Sequence, residues 1–403
     1  LKGRADPRRH GTVLSKNTLV ITCAKGIPPF LEEELVSFGF PIRSVDVSSV
    51  ETEGTLYDAM RLNLSLRTGQ RVLFLLKEFL AKDPEALYRE ISRIRWEDYL
   101  TEKAYLCVTS TVDTPTIKDS RFANLKSKDA IVDRFYEKFG RRPDSGPDKR
   151  GTVIHLHWKG NLCQLYMDTS GEPLSKRGYR KISVEAPMQE TLAAAVILAS
   201  GWKGDGNFVN PMCGSGTLAI EAAWIGLGRA PGLLRGNYGF MHWKGFPEAS
   251  WRALRKKARN SSKSQLTGKI IATDISSQAI EAAKKNAMTA GVAHLIEFGI
   301  CDYSGTTLPE GGGVVVLNPP YGDRLGEIRA LEKTYKGIGD FFKQRCRGYW
   351  GYLFTGNLEL AKKVGLRTKR RIPFFNGEIE CRLLEYELYE GSRKPSKTVR
   401  DEE

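Results

Sequence analysis

The chain has 403 residues, more than one ordinary hydrophobic core organises, so two or three domains are expected. Hydrophobic residues make up 41 % and charged residues 27 %, which excludes a disordered chain, and no apolar run is long enough to cross a bilayer. The 62 Lys+Arg against 47 Asp+Glu leave a net charge of +15, an excess that suits a polyanionic partner as well as it suits a merely basic soluble protein.

Residues 1–16 are basic and polar, without periodicity or an apolar h-region, and read as a disordered tail with no secretory signal. Residues 18–23 read as a strand, and residues 30–38 as a helix with Leu31, Leu35 and Phe38 at helical spacing. Helical pattern returns at 55–64, then a strand at 71–77, a helix over 84–95 and a strand at 104–111. Residues 128–139 form an amphipathic helix, with Ile131, Val132, Phe135 and Phe139 on one side. Two strands at 152–158 and 162–168, joined by Lys159-Gly160-Asn161, spell a hairpin. His155 and His157 alternate on its first strand with no third ligand near, so no metal site is expected. Seven dispersed cysteines without a C-x-x-C pair speak against zinc and against a disulfide framework, and a reduced, cytoplasmic protein is expected.

From residue 207 onward strands and helices alternate, which predicts a doubly wound, mostly parallel sheet. Strands are expected at 208–210, 269–274, 295–301, 313–317, 349–354 and 380–389. Helices are expected at 217–224, from about 276, and through Ile328, Leu331, Tyr335, Ile338 and Phe342. Ligands in such sheets bind beyond the carboxyl ends of the strands, and three motifs fall there. The first is Asn210-Pro211-Met212-Cys213-Gly214-Ser215-Gly216-Thr217, where glycines let the backbone turn tightly and approach a ligand before a helix begins. Its Gly214-x-Gly216-x-x-Ala219 also satisfies a dinucleotide fingerprint. That fold places an acid roughly 20 residues later, whereas the first strand-end acid here is Asp274, beyond a basic, glycine-rich insert. The second motif is a pair of acids: Asp274, followed by Ile275, suits ribose hydroxyls, and Asp302 suits an adenine amino group.

The third motif, Asn318-Pro319-Pro320-Tyr321, closes the strand at 313–317. Two prolines cannot continue a central strand, because they remove backbone donors, but they fix the direction of two carbonyls. An exocyclic amine on an aromatic base is a poor nucleophile, its lone pair being delocalised into the ring. Acceptors around its two N–H bonds, here the Asn318 oxygen and the Pro319 carbonyl, favour the geometry that frees the lone pair, while Tyr321 can stack on an extruded base. The reaction then needs in-line placement against a sulfonium methyl, without a metal or a strong base. Asn318, Pro319, Pro320 and Tyr321 are thus the candidate catalytic residues.

The combination resembles the amino-methyltransferases with an N/D-P-P-Y motif. The wider set is similar to the RlmL family of ribosomal RNA guanine-N2 methyltransferases: Asn210 to Thr217, Ile220-Glu-Ala-Ala, Arg229-Ala-Pro-Gly, Asn318-Pro-Pro-Tyr-Gly-Asp-Arg-Leu, Asp168-Thr-Ser-Gly-Glu-Pro-Leu, Arg177-Gly-Tyr-Arg, Ala186-Pro-Met-Gln-Glu-Thr-Leu, Ser120-Arg-Phe-Ala-Asn-Leu-Lys and Asn376-Gly-Glu-Ile-Glu-Cys-Arg-Leu. The resemblance implies an α/β fold with a Rossmann-like class I methyltransferase domain behind N-terminal α+β ferredoxin-like and THUMP RNA-binding domains. The boundaries expected are a tail over 1–16, the ferredoxin-like domain over 17–67, THUMP over 68–170, the methyltransferase domain over 171–392 and a tail over 393–403. It implies S-adenosyl-L-methionine as cofactor, held by Thr191 near the methionine end, by Asn210, Pro211, Met212, Cys213, Gly214, Ser215 and Gly216 in the loop, by Asp274 and Ile275 at the ribose, by Asp302 at the adenine, and by Asn318. It implies an RNA partner, ribosomal RNA before transfer RNA, and no membrane. Position 210 is Asn where the family often has Asp, and position 323 is Asp where Glu is commoner.

Two other functions compete. One is methylation of another amine, guanine in transfer RNA or adenine N6 in DNA; the other is a non-catalytic RNA-binding assembly factor. Outside the motifs, Trp243 and Phe246 of the basic insert are candidates for stacking on RNA bases, and Lys118, Arg121 and Lys126 for phosphate contacts. Trp202, Trp224 and Trp251 read as packing residues.

Overall fold

The structure is a computed structural model that describes residues 15–117, 119–184, 187–322 and 325–389. The readings on Lys118, Ala186, Asp323, Arg324 and most of both tails lie outside the described residues.

The N-terminal half runs β1 (Asn17–Thr22), α1 (Pro28–Ser37), β2 (Ser44–Asp46), β3 (Ser49–Gly54), α2 (Leu56–Ser65), β4 (Arg71–Leu80), α3 (Pro84–Ser92), β5 (Tyr105–Asp113), α4 (Ser120–Phe139), β6 (Asp144–Ser145), β7 (Thr152–Lys159) and β8 (Leu162–Asp168). Local chemistry sets several of these limits. Thr55 and Asp58 close a capping box at the start of α2, and Asp83 caps α3 with Pro84 in its first turn. Helix α4 begins at Ser120, well before residue 128, because Asp119 accepts from the Arg121 amide and serves as its N-cap. The hairpin expected at 152–168 forms as β7 and β8, antiparallel, with His155 opposite Tyr166.

All eight strands belong to one sheet, in the order β2-β3-β1-β4-β8-β7-β5-β6. Strand β4 is the seam: it pairs with β1 on one side and β8 on the other, both antiparallel, with an irregularity between Leu75 and Lys77. The two small α+β units are therefore continuous through one set of backbone hydrogen bonds.

The C-terminal half runs α5 (Glu190–Ala199), β9 (Asn207–Pro211), α6 (Thr217–Gly226), α7 (Glu248–Asn260), β10 (Ile270–Asp274), α8 (Ser277–Ala290), β11 (Ile296–Ile300), β12 (Gly313–Leu317), α9 (Leu325–Arg345), β13 (Tyr349–Thr355), α10 (Leu358–Lys362), β14 (Arg370–Asn376) and β15 (Ile379–Leu388). The sheet order is β11-β10-β9-β12-β13-β15-β14, parallel through β13 and antiparallel for the last two strands. Successive strands step outward from β9 to β11, and the chain then returns to place β12 on the other side of β9. The carboxyl ends of β9 and β12 thus flank the point where the order reverses, where a doubly wound sheet opens a crevice.

The basic insert between α6 and β10 is built differently from the sequence reading. It carries α7 and buries Tyr238, Phe240, Trp243 and Trp251. Trp243 is 9 % exposed and meets Phe74 edge-on at 5.7 Å, and Phe246 packs on Phe240 at 5.7 Å. Phe246 is half-buried within the insert, while the Trp243 ring is not offered to solvent for stacking on RNA, because it fills the joint between the two halves. Lys244 completes it, donating from its backbone to the Tyr99 carbonyl and from Nζ to the Glu97 carbonyl. Trp202, Trp224 and Trp251 are buried.

A second joint is polar. The Arg67 guanidinium donates to the carbonyls of Trp224 and Arg229, while Arg177 reaches back to the carbonyls of Leu66 and Arg67. Glu221, fully buried, accepts from Tyr179 at 3.1 Å and faces Arg177 at 3.5 Å. Burial raises the Glu221 carboxyl against the lowering influence of Arg177 and Arg67. The Asp168-Thr169-Ser170-Gly171 run is part of the same joint: Asp168 pairs with Arg71, and Ser170 donates to Asn63 at 2.6 Å.

Candidate active site

A cleft of about 660 Å³ opens at the carboxyl ends of β9, β10 and β12. Met212, Cys213, Gly214 and Ser215 line one wall, Asp274, Ile275 and Asp302 a second, and Asn318, Pro319, Pro320 and Tyr321 a third. The three strand-end motifs thus converge on one space of the size that holds a nucleoside-like ligand. Thr191, Asn210, Pro211 and Gly216 do not line it.

The loop after β9 is shaped by backbone demands. Met212 has φ 58°, the one non-glycine at positive φ among the described residues, and Gly214 and Gly216 follow at 54° and 82°. Holding a methionine there costs on the order of 1 kcal/mol, which persists only where the surroundings over-determine it. A Cβ on Gly216 would lie 2.9 Å from the Ala283 Cβ, so that glycine lets the loop seat against α8. A Cβ on Gly214 would meet only Val184, at 3.6 Å, so that glycine leaves the cleft wall open.

Asp274 holds this loop. One carboxylate oxygen accepts from the Gly214 amide and the other from the Ser276 amide, each at 2.9 Å. Each oxygen keeps a lone pair, so the half-buried carboxylate can still accept from a diol. Asp302 is more exposed and accepts from the backbone and hydroxyl of Ser304.

Asn210 lies behind the loop with none of its surface exposed. Its amide donates to the Val316 carbonyl at 2.9 Å, joining β9 to β12, while its Oδ1 is buried without a partner. The Thr191 hydroxyl, on α5, is likewise buried and unpartnered. An orphaned acceptor at Asn210, two residues before the part of the loop that lines the cleft, fits a ligand with an ammonium group better than a closed apolar core.

The Asn318–Tyr321 turn is braced from behind. The Tyr335 hydroxyl donates to the Pro320 carbonyl at 3.2 Å and contacts the Thr355 hydroxyl at 2.8 Å, and the Asn357 amide donates to the Tyr321 carbonyl at 3.0 Å. The Tyr321 ring packs beside Phe354, and its hydroxyl donates to Asn318 Oδ1. Sequence reasoning missed the Asn376 and Ile379 ends of β14 and β15, and Val184, Pro187 and Met188 of the strap before α5, all of which line the cleft. For all but Val184 the sequence signal is their place in the family-like runs Ala186-Pro-Met-Gln and Asn376-Gly-Glu-Ile.

Among the described residues no group of His, Cys, Asp and Glu is arranged to hold a metal ion, and no helix is long and apolar enough to cross a membrane. His155 is half-buried and contacts the Thr109 hydroxyl at 3.0 Å. Arg121 pairs with Asp119, and Lys126 lies 3.5 Å from Glu85.

Comparison with known proteins agrees with this architecture. Residues 177–385 match the family described as an RMKL-like methyltransferase domain, residues 18–73 an RlmL ferredoxin-like domain and residues 81–168 a THUMP domain. The "Ribosomal RNA large subunit methyltransferase K/L" of Syntrophotalea carbinolica is 38 % identical over 379 residues, covering 92 % of this chain and 53 % of that protein. The Synechocystis protein named "Putative RNA methyltransferase slr0064" is 34 % identical over 368 residues, covering 91 % of this chain and 96 % of that one. The crystal structure of "SMU.472, a putative methyltransferase complexed with SAH" superposes with a TM-score of 0.84 at 28 % identity, covering 94 % of this chain and 99 % of that one. The chain spans about half the length of the K/L relatives it matches.

Proposed function

The chain belongs to the RlmL-like family of methyltransferases, and from that premise we propose that it methylates the N2 amine of a guanine in large-subunit ribosomal RNA, with S-adenosyl-L-methionine as cofactor. The observation that carries the proposal is the convergence of Asn318-Pro319-Pro320-Tyr321 with Gly214 and Asp274 on one cleft. In this reading Asp274 would accept from the ribose hydroxyls and Asp302 from the adenine amino group, while the orphaned Asn210 Oδ1 beneath the loop would favour an ammonium held there. Bound there, the cofactor supplies an electrophilic sulfonium methyl. The residues of this chain do the rest. Asn318 Oδ1 and the Pro319 carbonyl accept from the two N–H bonds of the target amine and free its lone pair. Tyr321 offers a ring on which the extruded base stacks. The bracing by Tyr335 and Asn357 keeps both acceptors in place, so that positioning supplies most of the rate. The eight-stranded N-terminal sheet, with its THUMP unit, grips the RNA, and the chain works in the cytoplasm. In this reading the functional division of the chain falls at 67/68 and 170/171.

The test uses the purified protein, tritiated S-adenosyl-L-methionine and total RNA from a host lacking the gene, with the RNA fractionated and digested to nucleosides. Label in large-subunit ribosomal RNA as N2-methylguanosine is expected. Label in transfer RNA overturns the substrate and keeps the chemistry, while label as N6-methyladenosine overturns the chemistry.

A further inference from the structure

The third wall of the cleft is completed from a distant part of the chain. Asn376, the last residue of β14, and Ile379, the first of β15, face the same space as Asn318 and Tyr321. They pair across a two-residue turn with Gly377 at φ 65°. The hairpin is held from two sides. Phe374 stacks on Phe30 of α1 at 5.5 Å and packs beside Phe354 at 6.1 Å. In the turn between β1 and α1, Lys25 lies 5.9 Å from the centre of the Phe375 ring, and a Cβ on Gly26 would lie 2.8 Å from the Pro373 carbonyl oxygen. A side chain on so braced an element keeps its position, which recognition of a planar base edge requires.

Around this end of the cleft the lining consists of Pro319, Pro320, Tyr321, Gly322 and Ile379 besides Asn318 and Asn376. Asn318 is committed to the amine. The Asn376 carboxamide is the other one in the lining: its amide group bonds the Tyr321 hydroxyl, which leaves its oxygen to meet the rest of the base. In guanine the N2 amine is flanked by N1–H, a donor; in adenine the N6 amine is flanked by N1, an acceptor. A guanine whose N2 hydrogens are taken by Asn318 and Pro319 carries N1–H into the cleft, where it needs an acceptor of its own.

We infer that Asn376 is a base-recognition residue whose carboxamide oxygen accepts from guanine N1–H beside the reacting amine. This rests on the guanine reading of the site. It gives the β14–β15 hairpin a task in choosing the substrate, and it makes the contact between α1 and that hairpin a means of setting its position.

The test compares wild type with Asn376→Ala and Asn376→Asp on total RNA from a host lacking the gene, reading both nucleoside product and kcat/KM. Asn376→Ala leaves N1–H unpaired and is expected to lower kcat/KM by about 10- to 100-fold, with cofactor affinity by calorimetry unchanged. Asn376→Asp keeps the acceptor and is expected to stay within about fivefold of wild type. Three results overturn the inference: Asn376→Ala at half or more of wild-type kcat/KM, Asn376→Asp as impaired as Asn376→Ala, or loss of cofactor affinity in step with activity. If wild type itself yields N6-methyladenosine, the guanine reading fails first, and the N1–H assignment falls with it.

Discussion

The hydroxyl of Tyr321 donates a 2.8 Å hydrogen bond to Oδ1 of Asn318, the oxygen assigned to the target amine. Burial holds that hydroxyl well above its ordinary range, so it remains a donor at any working pH. The stacking ring and the amine acceptor are therefore one unit: the bond fixes the Asn318 rotamer, and an arriving base shares or replaces it. Tyr321→Phe is expected to keep the KM for RNA within about threefold and to lower kcat roughly 10-fold, the scale of one lost hydrogen bond to a positioning partner. Tyr321→Ala should also raise KM, since base stacking is worth about 1–3 kcal/mol. Steady-state kinetics of both variants check this, and an unchanged kcat in Tyr321→Phe removes the hydroxyl from the mechanism.

Asn318→Ala and Asp274→Ala should separate chemistry from cofactor binding. The first removes an amine acceptor and is expected to abolish transfer with cofactor affinity largely intact. The second strips the Gly214 and Ser276 amides of their charged acceptor as well as the proposed ribose contact. About 1.5–3 kcal/mol, or roughly 10- to 100-fold in cofactor affinity, is at stake. Calorimetry with S-adenosyl-L-methionine distinguishes the two, and equal affinity in Asp274→Ala and wild type would sink the assignment of that carboxylate.

The resemblance sets Asn210 at a position where Asp is the expectation, and the fold gives the amide a task of its own. Its amide donates to the Val316 carbonyl between β9 and β12, which a carboxylate cannot do. Asn210→Asp is expected to lower stability by about 1–3 kcal/mol, because it sets a buried charge against an acceptor and leaves that carbonyl unpaired. Denaturant midpoints of the two proteins, measured without cofactor, provide the check.

Glu97 predicts the acid limb of stability. It accepts from Arg134 at 2.9 Å on both oxygens and from Lys138 at 2.6 Å. These partners, Arg134 first, bring its carboxyl down from 4.5 to about 2. A lowered folded-state value stabilises fully above the unfolded value, and that contribution is lost as pH falls from 4.5 towards 2. Glu97→Gln should lower the melting temperature at pH 7 and lose less on acidification through that window. A parallel pH dependence in the variant and wild type would show that the cluster contributes nothing.

Much of the catalytic half was legible because its signals are local. Gly214 and Gly216 punctuate a strand-to-helix turn, Asp274 and Asp302 follow short apolar strands, and Pro319-Pro320 cannot continue one. Each needs only a few neighbouring residues to be recognised. Helix α7 was hidden because the insert around it is rich in glycine and basic residues. Strand β14 was missed because its exposed arginines and Pro373 obscure the alternation expected of a strand.

The sequence by itself determined the parallel-sheet order of chemistry: a glycine loop, two acids and an Asn-Pro-Pro-Tyr turn at successive strand ends, the pattern that also carries the family resemblance. Tertiary structure alone decided that β4 joins both N-terminal units into one sheet, and that Trp243 fills an interdomain joint rather than meeting RNA. It also buried Thr191 and Asn210 away from the cleft lining and brought Asn376 into the same cleft as Asn318. Those relations join residues tens to hundreds of positions apart. Periodicity and turn chemistry record only which way a residue faces within its own element, and so hold no trace of the partner it meets across the fold.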